Sequence, residues 1–192
     1  MKGTRPRGGS GSEDAAIAAA LRCDLKELAE HVMVVDLERN DLGRVATPGS
    51  VQVDPLFEIE TTPYCHQLVS RVHARLRPDV GTGDLLAATF PCGSVTGAPK
   101  IAAMRIAADI ERSPRGAYCG TLVVAMPGEL DSAVLIRTAE ASGKRLLWGT
   151  GCGITHDSIP QAEWLESRLK ASPILGDAAG CSDGEEPALA PW

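Results

Sequence analysis

The stretch YCGTLVVAMPGELDSAVLIRTAEASGKRLLWGTGCG, residues 118–153, carries the reading on which the fold turns. Its apolar and β-branched runs are interrupted at Pro127-Gly128 and Ser142-Gly143, dipeptides that end strands in turns. The pattern predicts three consecutive strands, Tyr118 to Met126, Ser132 to Ala141 and Lys144 to Trp148, in an antiparallel meander. The third runs into Gly149-Thr150-Gly151-Cys152-Gly153, and a helix is expected from about Pro160 to Ala171, carrying Glu163, Glu166 and Lys170.

Upstream of the meander, small residues and a Thr96 cap precede an expected helix from about Pro99 to Glu111, with Pro99 early in it. Asp84 to Ala88 reads as a short helical turn, and Ser50 to Val53 and Leu68 to Leu76 read as strands, the latter alternating as LVSRVHARL. Residues 1–12, rich in Gly and Arg, read as a loop. Ser12 then caps a helix over Ala15 to His31, with Glu13 and Asp14 in its first turn. Val32 to Leu37 is β-rich and expected as a strand, followed by a polar turn at 38–43. From Gly176 the chain shows no periodicity, and residues 173–192 are expected to form a disordered tail.

The 192 residues are 44% hydrophobic and only 4% aromatic, enough for one core built on Ala, Val, Leu and Ile. A net charge of −6 gives no long-range pull toward nucleic acid or anionic lipid, so neither is expected as a partner. A small molecule is the expected ligand, and an anionic one would need local cations. No apolar run approaches the roughly 20 residues that span a bilayer. The basic start, MKGTRPRG, has no apolar segment behind it, so the expected location is the cytoplasm. Six cysteines lie far apart without a CxxC pair, a pattern of reduced core and turn residues rather than of zinc or disulfides.

Glu27 and Glu30, and again Glu163 and Glu166, are three apart on expected helices, so each pair shares a face. Such pairs are more often solvated faces, but two of them would suit Mg²⁺, which takes one or two carboxylates plus water and an anionic ligand. Lys170, one turn beyond Glu166, adds a cation that serves an ion pair or a substrate carboxylate. GTGCG lacks the GxGxxG spacing of a dinucleotide fingerprint, and reads better as backbone N–H groups turned toward an anion. GSVTGAPK does not close as a P-loop, and the four histidines show no metal-ligand spacing. Lys2-Gly3-Thr4 by itself is a chain terminus.

Taken in order, KGTRPRG (2–8), KELAEHVMVVDLERNDLGRV (26–45), LVS (68–70), FPCGSVTGAPK (90–100), RGAYCG (115–120), IRT (136–138) and GTGCGITHDSIPQAEWLESRLK (149–170) resemble the chorismate-utilising enzymes. That family includes anthranilate, aminodeoxychorismate, isochorismate and salicylate synthases. The resemblance covers about residues 1–172 and implies an α+β fold, two packed, mostly antiparallel sheets flanked by helices, of which this chain is the C-terminal part.

The resemblance further implies that Glu30 and Glu166 are the Mg²⁺ ligands, with Glu27 and Glu163 in the same acidic cluster. It places Gly3, Thr4, Tyr118, Arg137, the Gly151-Cys152-Gly153 backbone and Lys170 on chorismate, whose two carboxylates those cations and donors would match. Lys2 before Gly-Thr resembles the aminodeoxychorismate synthases, where anthranilate synthases have Ala. In that pattern the Lys2 amine attacks the ring and ammonia then replaces it, the ammonia coming from glutamine through an amidotransferase partner. Two positions depart from the family: Gln67 stands where the anthranilate members have a catalytic histidine, with His66 one place earlier, and Cys152 stands where Ala is usual. The family's general-acid glutamate lies upstream of these motifs, so the 192 residues alone are expected to be weakly active or inactive and prone to aggregate.

Overall fold

The computed structural model describes residues 1–156 and 158–175, and it divides into two compact units, Met1–Gly93 and the part from Ser94 onward. The α+β class with antiparallel sheets holds, but the sheets are small: among the described residues, one of three strands and three of two.

In the first unit, β1 (Thr4–Pro6) precedes α1 (Gly11–Cys23) and α2 (Leu25–Gly43). They are followed by β2 (Gln52–Val53), β3 (Glu58–Thr61), β4 (Cys65–Val69), β5 (Val72–His73) and α3 (Thr82–Thr89). The three-stranded sheet has the order β1-β4-β3, both pairs antiparallel, with Thr4 opposite Gln67 and Glu60 opposite Gln67 on the other side. β2 pairs with β5, and the expected Leu68–Leu76 strand is bent between Val69 and Val72 so that its halves serve different sheets.

Five expectations about this unit are corrected. Residues 4–6 form a strand rather than loop, because β4 supplies the partner that three residues alone cannot. The first helix is two helices, broken at Asp24, whose carboxylate accepts from Lys26 N at 3.1 Å and Glu27 N at 3.2 Å and so starts α2. Val32 to Leu37 is not a strand, and 38–43 is not a turn; both belong to α2. Burial at His31, Val35 and Asp41 follows helical spacing, and packing of that face outweighs the β-preference of the valines. α1 is capped by Ser10 rather than Ser12.

Leu21 and Leu68 are fully buried and meet beneath Gly3, with Val35, Val45, Ala46, Val69 and Ala88 completing the apolar core of this unit. Asp14 fastens its edge: Arg7 donates two hydrogen bonds of 2.8 Å to the carboxylate, Gly8 N a third and buried His66, through Nε2, a fourth. Arg7, followed by the Gly8 amide, holds the Asp14 carboxyl well below the usual carboxylate range.

The second unit contains α4 (Lys100–Ile110), β6 (Thr121–Met126), β7 (Glu129–Val134), β8 (Ala139–Ser142), β9 (Arg145–Trp148) and α5 (Pro160–Leu175). The turns at Pro127-Gly128 and Ser142-Gly143 are where the sequence put them. The middle strand of the expected meander is broken, giving two hairpins, β6-β7 and β8-β9. The break falls at Leu135–Thr138, where Arg137 takes φ 51°, a left-handed conformation that ends a strand. α4 starts at Pro99 as N-cap rather than from a Thr96 cap. Leu122, Val124 and Met126, on one face of β6, are each about half exposed, and among the described residues Ala171 is this unit's buried apolar side chain. Of the tail expected over 173–192, residues 173–175 continue α5, and 176–192 lie outside the described residues. Among the described residues no helix is long and apolar enough to cross a membrane.

Candidate functional site

In the first unit Lys2, Gly3, Glu27 and Glu30 come together where the lead into β1 crosses the start of α2. The backbone of Lys2 and Gly3 is tethered three times. Lys2 N donates to Leu68 O at 3.2 Å, Leu68 N donates to Gly3 O at 3.0 Å, and His31 Nδ1 donates to Lys2 O at 3.0 Å. Since a carbonyl only accepts, Nδ1 carries the proton, and Nε2 accepts the Ser70 hydroxyl at 2.8 Å. Ser70 Oγ in turn accepts Phe57 N at 3.0 Å, and the Phe57 ring meets His31 edge-on at 5.4 Å. Burial pushes the His31 imidazole below its ordinary value, outweighing the Lys2 carbonyl, so the neutral ring is the favoured form.

Gly3 has φ 96°, a conformation that favours glycine, and a Cβ there would sit tightly, 3.2 Å from Glu27 Oε2 and 3.3 Å from Leu21 Cδ1. That close approach brings the chain against the carboxylates of α2. Lys2 Nζ lies 2.6 Å from Glu30 Oε2, with Lys26 Nζ at 3.9 Å from the other oxygen. Arg5 bridges Glu27 Oε1 at 3.0 Å and Asp24 Oδ2 at 2.8 Å. Thr4 is exposed in β1. His66 and Gln67 point to opposite faces of β4, as successive strand residues must. His66 is buried against Asp14 and Thr61, so it does not take over the face that Gln67 presents.

In the second unit the loop of glycines after β9 lies on Tyr118. A Cβ on Gly149 would fall 2.3 Å from Tyr118 Cγ, and one on Gly151 would fall 2.9 Å from the Tyr118 hydroxyl, so the ring needs glycine at both places. Burial, and next the neighbouring Cys119, push the Tyr118 hydroxyl up to about 12. Lys170 on α5 donates to Gly151 O at 3.1 Å and pairs with Glu166 Oε1 at 2.6 Å. Cys152 Sγ donates to Glu163 O at 3.1 Å; burial raises the thiol's pKa, with Lys170 opposing. The ligand atoms of Cys152, Glu163 and Glu166 all lie within 4.8 Å of one another. An open pocket of about 410 Å³ runs between Gly151-Cys152 and the side of α5 bearing Glu163, Trp164 and Ser167.

The thirteen expected site residues thus divide between the units: Lys2, Gly3, Thr4, Glu27 and Glu30 in the first, and Tyr118, Arg137, Gly151, Cys152, Gly153, Glu163, Glu166 and Lys170 in the second. Arg137 and Gly153 are exposed. Part-buried carboxylate oxygens, 15% exposed at Glu30 and 20% at Glu27, are hard donors that fit a Mg²⁺ ion, and each already has a cation beside it. His31, Ser70 and Asp24 were not expected at the site. Asp24 had a signal, the Asp-x-x-Glu spacing of a helix start; the His31–Ser70 contact spans 39 residues and had none.

The architecture is antiparallel α+β, with Glu27, Glu30, Glu163, Glu166 and Lys170 on helices and Lys2 just ahead of β1. Residues 1–176 match the chorismate binding enzyme family, and the chain belongs to it. It is 47% identical over 91% of its length to an aminodeoxychorismate synthase of Streptomyces griseus, spanning 24% of that protein. It is 44% identical over 99% of its length to anthranilate synthase component 1 of Methanothermobacter thermautotrophicus, spanning 42% of it. Among solved structures, anthranilate synthase component I of Streptococcus pneumoniae superposes with a TM-score of 0.74 at 39% identity, over 87% of this chain and 40% of that one. The chain therefore spans less than half the length of each of these relatives.

Proposed function

We propose that the chain is the C-terminal portion of an aminodeoxychorismate synthase component I, which converts chorismate and ammonia to 4-amino-4-deoxychorismate for p-aminobenzoate and folate synthesis. A partner amidotransferase would release the ammonia from glutamine. The observation that carries this reading is Lys2, tethered by its backbone with its amine at Glu30. In the proposed reaction the neutral Lys2 Nζ bonds to C2 as both conjugated ring double bonds shift, C1=C2 to C1=C6 and C5=C6 to C4=C5, and the C4–O bond breaks, the hydroxyl leaving as water with the proton that the amine gives up. Ammonia then forms the C4–N bond as the C2–Nζ bond breaks, and the lysine returns to its starting state. The amine attacks only when deprotonated.

Arg137, Lys170 and the Gly151–Gly153 backbone would take the substrate carboxylates, with Gly3, Thr4 and Tyr118 lining the ring. Glu30 with Glu27, and Glu166 with Glu163, would hold Mg²⁺, which when bound supplies a point charge to a carboxylate. Anthranilate synthase component I is the second reading, favoured by the name of the relative that matches over 99% of the chain.

The two readings part at the product. The 192-residue protein is incubated with chorismate, Mg²⁺ and ammonium, and the products are separated by liquid chromatography; intact mass is read in a parallel sample without ammonium. Expected are slow formation of 4-amino-4-deoxychorismate, which keeps its enolpyruvyl group, and a Lys2 adduct equal to chorismate less water. Anthranilate with free pyruvate would establish the second reading instead. Neither product nor adduct would remove the activity from this chain, and unchanged turnover in Lys2→Ala would remove the nucleophile.

A further inference from the structure

Within the second unit, a sulfur donor and two carboxylates converge. Cys152 lies in the glycine loop after β9, Glu163 and Glu166 lie three apart on one face of α5, and the ligand atoms of the three are within 4.8 Å of one another. The loop is fastened to the helix at three successive residues. Thr150 Oγ1 donates to Ser167 O at 3.0 Å, Gly151 O accepts Lys170 Nζ at 3.1 Å, and the Cys152 thiol donates to Glu163 O at 3.1 Å. These contacts hold the sulfur beside the glutamates rather than leaving it on a free loop. Cys152 and Glu163 are part-buried and also line the open pocket against α5, which gives a route in from solvent. Among the described residues, no cysteine joins Glu27 and Glu30 in such a group.

From this we infer that Cys152, Glu163 and Glu166 form a binding site for a thiophilic divalent cation of the Zn²⁺ class. Mg²⁺ takes oxygen donors, whereas Zn²⁺ and its neighbours in the transition series also take thiolate, so the sulfur decides the metal preference. Tetrahedral Zn²⁺ with sulfur at about 2.3 Å and carboxylate oxygen at about 2.0–2.2 Å sets its donors roughly 3.3–3.7 Å apart. A spread of up to 4.8 Å closes to that by about 1 Å, within reach of torsions in the two glutamate side chains. Three protein donors leave a fourth position to water or an anionic ligand. On coordination the thiol proton leaves to solvent, and the hydrogen bond to Glu163 O is given up. Lys170, with Nζ 4.0 Å from Sγ, is a cation that favours the thiolate. The two glutamates also belong to the proposed Mg²⁺ set. Competition between the metals rests on that proposal; the thiolate site does not.

The test is titration of the full 192-residue protein, kept reduced with a phosphine, with Co²⁺ as a spectroscopic stand-in for Zn²⁺. Wild type should develop a sulfur-to-cobalt charge-transfer band in the near ultraviolet, which added Zn²⁺ removes by displacement. Cys152→Ala and Cys152→Ser should lose the band; the serine keeps the size of the side chain, and circular dichroism on both variants checks that the fold is retained. Glu163→Gln and Glu166→Gln keep the sulfur and should weaken Co²⁺ binding by at least about tenfold. Cys23→Ala, which removes an exposed cysteine of the first unit, should leave band and affinity unchanged. No band in wild type, a band of full strength in Cys152→Ala, its loss in Cys23→Ala, or wild-type affinity in both glutamine variants would each overturn the site. Mg²⁺ calorimetry on the same proteins is read separately: Mg²⁺ binding that Cys152→Ala retains and Glu166→Gln weakens supports the Mg²⁺ assignment whichever way the thiolate band falls.

Discussion

Replacing His31 tests how the lysine end of the site is held. His31 makes two hydrogen bonds, to Lys2 O at 3.0 Å and with the Ser70 hydroxyl at 2.8 Å, and its side chain is 2% exposed. His31→Leu removes both. At about 0.5–1.5 kcal/mol for each neutral bond, the expected loss is about 1–3 kcal/mol, water reaching the part-buried partners and keeping the cost below that of fully buried groups. His31→Asn can present an amide N–H where Nδ1–H stands, and should recover about half of that loss. All three tryptophans lie beyond Ser94, so the readout is hydrogen exchange on peptides covering residues 1–6 and 65–69. There, His31→Leu should exchange roughly 5- to 150-fold faster.

The same residue sets a pH dependence whose sign is fixed. The folded pKa of His31 lies below its unfolded value of about 6.5, so the unfolded chain takes the proton first and stability rises with pH across the interval between them. Its contribution is complete above about pH 6.5 and declines as the pH falls toward the folded value. The difference between wild type and His31→Asn should vary with pH over that window alone. Equal exchange in wild type and His31→Leu, or equal pH slopes in wild type and His31→Asn, would refute the reasoning.

Two further substitutions probe the supports of the two half-sites. Gly149→Ala puts a methyl 2.3 Å from Tyr118 Cγ, and overpacking of that kind costs about 1–3 kcal/mol; an unfolding midpoint by tryptophan fluorescence equal to wild type would show that the ring moves aside freely. Asp24→Ala deletes the acceptor for Lys26 N and Glu27 N and the Arg5 bridge, an expected loss of about 1 kcal/mol with faster amide exchange at the start of α2. Asp24→Asn, which caps as well, should retain most of it.

What the sequence could show depended on how local the cause was. The Pro127-Gly128 and Ser142-Gly143 turns, α5 and α4 were readable because turn residues and helix-favouring runs act over a few positions. α2 was misread over Val32–Leu37 because β-branched residues favour strands locally, while the face from His31 through Val35 to Asp41 is decided by what it packs on. The break at Arg137 had no turn residue to announce it. At the site, the Glu-x-x-Glu spacings named the carboxylates, and the ordered motifs named the family. The cations that sit on those carboxylates were only half legible: Lys170–Glu166 is an i,i+4 pair on one helix, whereas Lys2–Glu30 joins residues 28 positions apart.

That contrast bears on how Lys2 comes to be defined at all. A lysine with four rotatable bonds and no regular structure of its own is ordinarily a poor element of a site, because ordering it costs side-chain entropy that a single surface ion pair does not recover. Here the main chain is fixed first. β4 takes the hydrogen bonds of Lys2 N and Gly3 O, His31 donates to the Lys2 carbonyl, and Gly3, at φ 96°, carries the chain close to α2. With the Cα placed by these tethers, only the side chain remains to be ordered, and Glu30 meets it. The bonds come from Leu68 and His31, within two of the quoted motifs, so the order of motifs along the chain is also the order of supports around one amine. If that is the physical reason for the arrangement, loosening the backbone at His31 should disorder the Lys2 amine even though Glu30 remains in place.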